Sequence, residues 1–319
     1  MEQPLTSLRG VLTRQKPVIP CTAPPSRNKP YGLWPNLNNS VQLWNEFDLD
    51  TLNNMYGKVL DFQVPNDQLI CPRPHQHFDG VTIDTEEEAK HMMSWNYEMM
   101  KPCLGFAKSY LQLHDGTQLR HEYSSVAEPT RARLPNTSKR ARVDHIIWLD
   151  DISDETLVVG ISKTSNTWCG SAIERENNTV RSIAPLRHLA NLCKLSNTRY
   201  GYIQTDEELV ACCFTKETGA TELEVMIMPI KWSKHTVNAL TTDLALWWMG
   251  MLAMSDPKNR IILPKGEMAP LSSLGSPEFP YLDHQRNLLE DLPDSKDFWS
   301  VGSSIENSTD SGDEDGVEG

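Results

Sequence analysis

The chain has 319 residues, is 39% hydrophobic and carries 43 acidic against 30 basic residues, a formal charge of -13. That length can bury a sizeable core and permits one or two domains. Seven cysteines without a metal-ligand spacing argue against a disulfide-stapled secreted scaffold and for a reducing compartment.

Residues 1–40 are rich in Pro, Asn, Ser and Thr without apolar periodicity and read as a disordered segment. Residues 41–84 read as a helical and loop extension. In it Val41, Leu43, Trp44, Phe47, Leu49, Leu52, Met55 and Leu60 outline a helix broken in its middle, and a polar, proline-containing connector follows. Within the connector, Cys71-Pro-Arg-Pro-His75-Gln-His77 offers metal-binding residue types but no matching second half, which favours a plain loop.

A strong helix start comes next. Asp84 and Thr85 can each cap an N-terminus, with Glu87 and Glu88 three residues on in the capping-box arrangement. Ala89, Met92, Met93, Met99, Met100, Cys103, Leu104, Ala107 and Leu111 then recur at spacings of three and four, one buried face running to about Leu113. Pro102 removes a backbone bond inside it and predicts a kink.

Strands are expected over 118–125, 144–149 and 156–162, with Asp150-Asp151-Ile-Ser-Asp154 as the turn between the last two. A helix over about 179–195 follows, then three strands over 198–205, 208–215 and 223–230, and a final apolar helix over 236–254. Trp247 and Trp248 in that helix, and Tyr200 and Tyr202 on one face of a strand, read as core rather than as stacking platforms. Cys212 and Cys213 are adjacent in a strand and so point to opposite faces. The pattern is α/β or α+β in one domain. Serine-nucleophile elbows, phosphate-binding loops, dinucleotide fingerprints and kinase signatures do not occur.

Charge is distributed unevenly. Arg131, Arg133, Lys139, Arg140 and Arg142 place five bases and no acid in twelve residues. Such a run suits a solvated loop, nuclear targeting or phosphate contact. Residues 306–319 carry six acids and no base, and 266–319 as a whole reads as an acidic disordered tail. No apolar leader is visible after Met-Glu-Gln-Pro, and the longest apolar run, 244–254, falls short of the roughly 20 residues that span a bilayer. An intracellular chain, nuclear or cytoplasmic and without membrane partners, is expected.

Five pieces recur in a telling order: Ser94-Trp-Asn96, Arg142-Val-Asp144, Leu157-Val-Val-Gly-Ile161-Ser-Lys163, Pro185-Leu-Arg-His-Leu189 with Asn197-Thr-Arg-Tyr-Gly-Tyr-Ile-Gln-Thr205, and Leu244-Ala-Leu-Trp-Trp248. In that order they resemble the PD-(D/E)XK nuclease-like superfamily, in particular domains carried by large groups of uncharacterised fungal proteins. The resemblance implies a restriction-endonuclease-like core over about 85–265, a mixed sheet flanked by helices. It also implies a chemistry in which two carboxylates hold Mg²⁺ and a lysine orients the attacking water.

Carried over residue by residue, Asp144 matches the first metal ligand and Lys163 the lysine, while Ile161 stands where the second acid belongs. The resemblance therefore implies a degenerate active site, with Asp144 at most a vestigial metal ligand and the domain serving as a binding or interaction module. If a carboxylate has been relocated, Glu88, Glu98, Glu174 or Glu176 would supply it and the chain would be a Mg²⁺-dependent nuclease. Asp144 and Lys163 can also be read as a cross-strand ion pair. Nucleic acid is the expected partner through Arg131, Arg133, Lys139, Arg140 and Arg142. A protein-interaction scaffold without nucleic acid is the other expectation.

Overall fold

The computed structural model describes residues 4–26, 32, 34–127, 143–150, 155–173, 182–220, 222–255 and 257–274, all within the unit Met1–Phe279. The five-base run at 131–142, Glu174, Glu176 and the acidic end at 306–319 lie outside the described residues.

The N-terminal half runs β1 (Leu5–Ser7), α1 (Leu8–Leu12), β2 (Leu37–Leu43), α2 (Leu49–Asp61), β3 (Gln63–Pro65), α3 (Pro74–His77) and α4 (His91–Tyr110). The rest runs β4 (Gln118–Tyr123), β5 (His145–Asp150), β6 (Glu155–Ser162), α5 (Gly170–Ile173), α6 (Ala184–Leu195), β7 (Tyr200–Gln204), β8 (Glu208–Lys216), β9 (Leu223–Lys231), α7 (Thr242–Ser255) and α8 (Pro257–Arg260). Seven strands form one mixed sheet in the order β2-β9-β8-β7-β6-β5-β4, and β1 pairs with β3 in a separate ribbon.

β4, β5 and β6 are an antiparallel meander. α6 then carries the chain back so that β7 lies parallel to β6, as a helical crossover requires. β7, β8 and β9 are antiparallel, and β2 adds to the far edge parallel to β9. Two apolar clusters sandwich the sheet. One packs α1, α2, α4 and α7 against Tyr200, Tyr202, Leu209, Ala211 and Cys213. The other packs α6 against Ile146, Val159, Ile161, Ile203, Val210 and Cys212. Alternation along each strand sends its neighbours to opposite layers, so Cys212 and Cys213 part company as the period of two dictates. Gly201 lets α6 approach: a Cβ there would stand 2.9 Å from the Leu189 side chain.

Helix starts follow the sequence signals. The Glu88 carboxylate accepts from the Asp84 and Thr85 amides at 2.7 and 2.9 Å, and the Thr85 hydroxyl accepts from Glu88 N at 3.3 Å. This box opens a 3₁₀ turn, Glu87–Lys90, that runs into α4, whose interior holds Pro102. Asp48 caps α2 by accepting from Thr51 N at 2.8 Å. α7 is buried on every side from Thr242 to Met254, with Trp247 and Trp248 inaccessible.

Three expectations are corrected. Residues 4–26 are ordered rather than disordered: Leu8, Val11 and Leu12 have no exposure and join the α4–α7 core. The polar composition around them outweighed this short apolar helix. Val41 and Leu43 belong to β2 rather than to a broken helix, because strand addition next to β9 overrides their helical spacing. Within the stretch read as an acidic tail, Leu271 is 2% exposed and its amide donates to Glu46 at 2.9 Å, so the folded unit continues past residue 266.

Candidate functional site

The residues singled out in the sequence lie where β6 and β7 end side by side, with Lys163 N donating to Gln204 O at 2.9 Å. Asp144 stands just before β5 and is 4% exposed. Its Oδ2 accepts from Ser162 N at 2.8 Å and from Ser162 Oγ at 2.9 Å. Lys163 follows β6 directly and turns its ammonium to Glu86, ahead of α4; their side chains are 20% and 38% exposed. Glu86 also accepts from Ser26 Oγ at 2.9 Å.

Ile161 is not beside Asp144. It is 1% exposed in the α6 layer, whereas its neighbour Ser162 bonds the carboxylate. The reason is one extra residue where the chain joins β5. Asp144 N donates to Gly160 O while His145 is the register partner of Gly160. Val143 and Ile146, three apart, consequently pack in the same layer. A shift of one residue swaps every side chain to the other face, and the sequence spacing alone gives no sign of it.

On the α4 side of the sheet a buried polar network adjoins Asp144. Tyr202 OH and His145 Nδ1 share a hydrogen bond of 2.5 Å, and Asn96 Nδ2 on α4 donates to Tyr202 OH at 3.3 Å and to Gln204 Oε1 at 3.5 Å. Tyr202 reaches His145 by crossing Gly160, where a Cβ would stand 2.3 Å from the phenol carbon. Burial pushes the His145 imidazole down to about 3. It likewise lowers His121, stacked at 6.0 Å from His145, and raises the Tyr202 phenol, on which Asp144 acts in the same direction. The network is neutral at physiological pH and positions α4 on the sheet.

Two further carboxylates at this end also accept from a serine amide and hydroxyl. Asp206, 5% exposed, accepts from Ser165 N at 2.8 Å and Ser165 Oγ at 2.6 Å. Glu208, 4% exposed, accepts from Gly170 N at 2.5 Å, Ser171 N at 3.3 Å and the Ser171 hydroxyl. Residues 21–26 run along the same end. Thr22 and Ala23 amides donate to Ile83 O, Asn166 Nδ2 donates to Ala23 O at 2.9 Å, and Ser26 N donates to Thr167 Oγ1 at 3.1 Å.

The arrangement does not fit a Mg²⁺ centre, which needs carboxylate oxygens converging at about 2.1 Å from one point. Among the described residues no group of three or more His, Cys, Asp and Glu could hold a metal ion. Of the acids considered for relocation, Glu88 is the capping residue and Glu98 Oε2 lies 3.3 Å from His77 Nδ1. The connector motif separates too: His77 faces Glu98, while Cys71 meets Cys103. No helix among the described residues is long and apolar enough to cross a membrane.

Sequence reasoning missed Ser162, His145 and Glu86. Ser162 was hidden by the shifted register, Glu86 by a separation of 77 positions from Lys163. His145, between Asp144 and two isoleucines, was the one legible signal, since a polar residue at that point of an alternating strand must find a buried partner. Comparison of the chain with protein families, with curated proteins and with solved structures finds no match.

Proposed function

We propose that the chain is a PD-(D/E)XK nuclease-like domain that has lost its chemistry and serves as a binding module, with nucleic acid as its partner. The order α4, β4, β5, β6, α6, β7, with a meander followed by a crossover to a parallel strand, supports the kinship. One observation carries the loss of activity: the carboxylates near the ends of β6 and β7 accept from serine hydroxyls and backbone amides instead of converging on a cation. Ser162 bonds Asp144, and Thr164, two residues on, is buried and donates its hydroxyl to Thr167. Neither supplies the acid or the amine that hydrolysis of a phosphodiester requires.

Binding is assigned to Arg131, Arg133, Lys139, Arg140 and Arg142, which precede Asp144 and β5 in the sequence and are numerous enough for salt-sensitive phosphate contact. The test is a titration of fluorescent duplex DNA and RNA against salt, run beside a Mg²⁺-dependent cleavage assay. Binding without cleavage is expected, lost on neutralising the five bases and tightened at low salt by deleting 306–319. Cleavage abolished by Asp144→Ala would overturn the loss of chemistry. Absence of binding at low salt would replace nucleic acid with a protein partner.

A further inference from the structure

Cys71 and Cys103 bring their sulfurs to 3.6 Å, thiols in van der Waals contact across 32 residues. Cys71 lies in the irregular connector between β3 and α3 and is half-buried, whereas Cys103 sits on α4 with no exposure. The pair thus joins one reachable thiol to one shielded thiol. Their surroundings supply no third metal ligand: among the described residues no His, Cys, Asp and Glu cluster could complete a site. The Cys103 thiol is pushed up, first by burial and then by Cys71, so exchange starts at the outer sulfur.

We infer that Cys71 and Cys103 are a reversible redox pair, closed by a small-molecule disulfide of the glutathione type. In the first step the Cys71 thiolate attacks one sulfur of glutathione disulfide, forming a mixed disulfide and releasing one glutathione thiolate. In the second the Cys103 sulfur, losing its proton to that thiolate, attacks Cys71 Sγ and expels the second glutathione. Two protein thiols are oxidised and one glutathione disulfide is reduced to two glutathiones. Only the outer partner has to move: a disulfide needs about 2.05 Å between sulfurs, and Cys71 belongs to no helix or strand while Cys103 is fixed by α4.

Closure would staple the connector to α4 at a crowded junction. Arg14 of the N-terminal segment donates to Pro72 O at 3.4 Å, and Trp247 of α7 donates to Cys103 O at 3.2 Å. Oxidation therefore ties the N-terminal segment's neighbour to the helix that positions Asn96 on the sheet. Cys193, Cys212 and Cys213, by contrast, are all fully buried.

The experiment incubates the reduced full chain, natively folded, with glutathione disulfide and follows intact mass, peptide linkage and thermal unfolding. The natural chain should lose two hydrogens, yield a Cys71–Cys103 linked peptide and melt roughly 5–10 °C higher, reverting with dithiothreitol. Cys103→Ala should stop at one glutathione on Cys71, and Cys71→Ser should gain neither the link nor the adduct. A natural chain that retains glutathione on Cys71, links a different pair or stays fully reduced overturns the inference. The Cys71→Ser variant, altered at a half-exposed loop residue, keeps the test readable if Cys103→Ala fails to fold.

Discussion

Asp243 and Asp144 are both almost fully buried, at 2% and 4% exposure, yet different groups hold them. Asp243, at the start of α7, is held by the Lys16 ammonium at 2.9 Å and by Trp95 Nε1 at 3.0 Å, and the same ammonium stacks 4.1 Å over Trp232. Asp144 is held by a neutral serine through its amide and hydroxyl. A buried carboxylate is therefore not by itself the mark of a cation site. At Asp243 the cation comes from the protein's own N-terminal segment, and at Asp144 the Ser162 amide and hydroxyl donate to the carboxylate.

The sharpest way to break this contrast is Lys16→Met. It strands Asp243 in a low-dielectric setting, where uncompensated buried charge costs about 3–5 kcal/mol, and the loss should appear in urea or thermal unfolding. Adding Asp243→Leu should return part of it by removing the orphaned charge. A double variant no more stable than the single would show that Lys16 contributes packing rather than pairing.

His145 gives the next largest effect. Its folded pKa of about 3 lies below the ordinary 6.5, so the unfolded chain takes up the proton first. The stability it contributes is complete above about pH 6.5 and drains as pH falls toward 3, by about 1.4 kcal/mol per pH unit. Between pH 6.5 and 5, a window in which most carboxylates stay ionised, His145→Gln should flatten the stability profile relative to the natural chain. Identical slopes would mean that the imidazole is already charged in the folded state.

For Asp144 a double-mutant cycle with Ser162→Ala and Asp144→Asn isolates the bond between them. A coupling of about 1–2 kcal/mol is expected, in the range of a charge-assisted hydrogen bond, and Mg²⁺ should leave it unchanged. Coupling below about 0.5 kcal/mol, or a Mg²⁺-dependent stabilisation lost in Asp144→Asn, would instead make the aspartate a metal ligand.

The same two regions show what the sequence could reveal. Local signals were legible: the Thr85/Glu88 box, the β5 and β6 strand patterns, the all-apolar α7 and the opposed cysteines of β8 each follow from propensity or alternation. Long-range choices were not. Lys16 meets Asp243 across 227 residues, and nothing in a proline-bounded lysine near the terminus announces that it will be buried. The register at Asp144 turns on one additional residue, which leaves composition and spacing untouched yet exchanges Ile161 for Ser162 as its neighbour. Periodicity records which residues are apolar, and the partner across the sheet is decided by packing.

Lys163 and Glu86 complete the contrast at its weak end. Like Lys16 and Asp243 they form a lysine–carboxylate pair, but their side chains are 20% and 38% exposed against 0% and 2%. Exposed pairs contribute about 0–1 kcal/mol because water screens them and side-chain entropy opposes them. Lys163→Met should therefore lower stability by less than about 1 kcal/mol, and that small loss should shrink further at high salt, where the screening length falls to about 3 Å. The loss from Lys16→Met should be indifferent to salt, because no counter-ion reaches the buried ammonium. Urea unfolding of both variants at low and high salt decides the matter. A salt-independent loss at Lys163 as large as that at Lys16 would mean that the end of β6 is closed to solvent, and that residues 21–26 seal it rather than run along its rim.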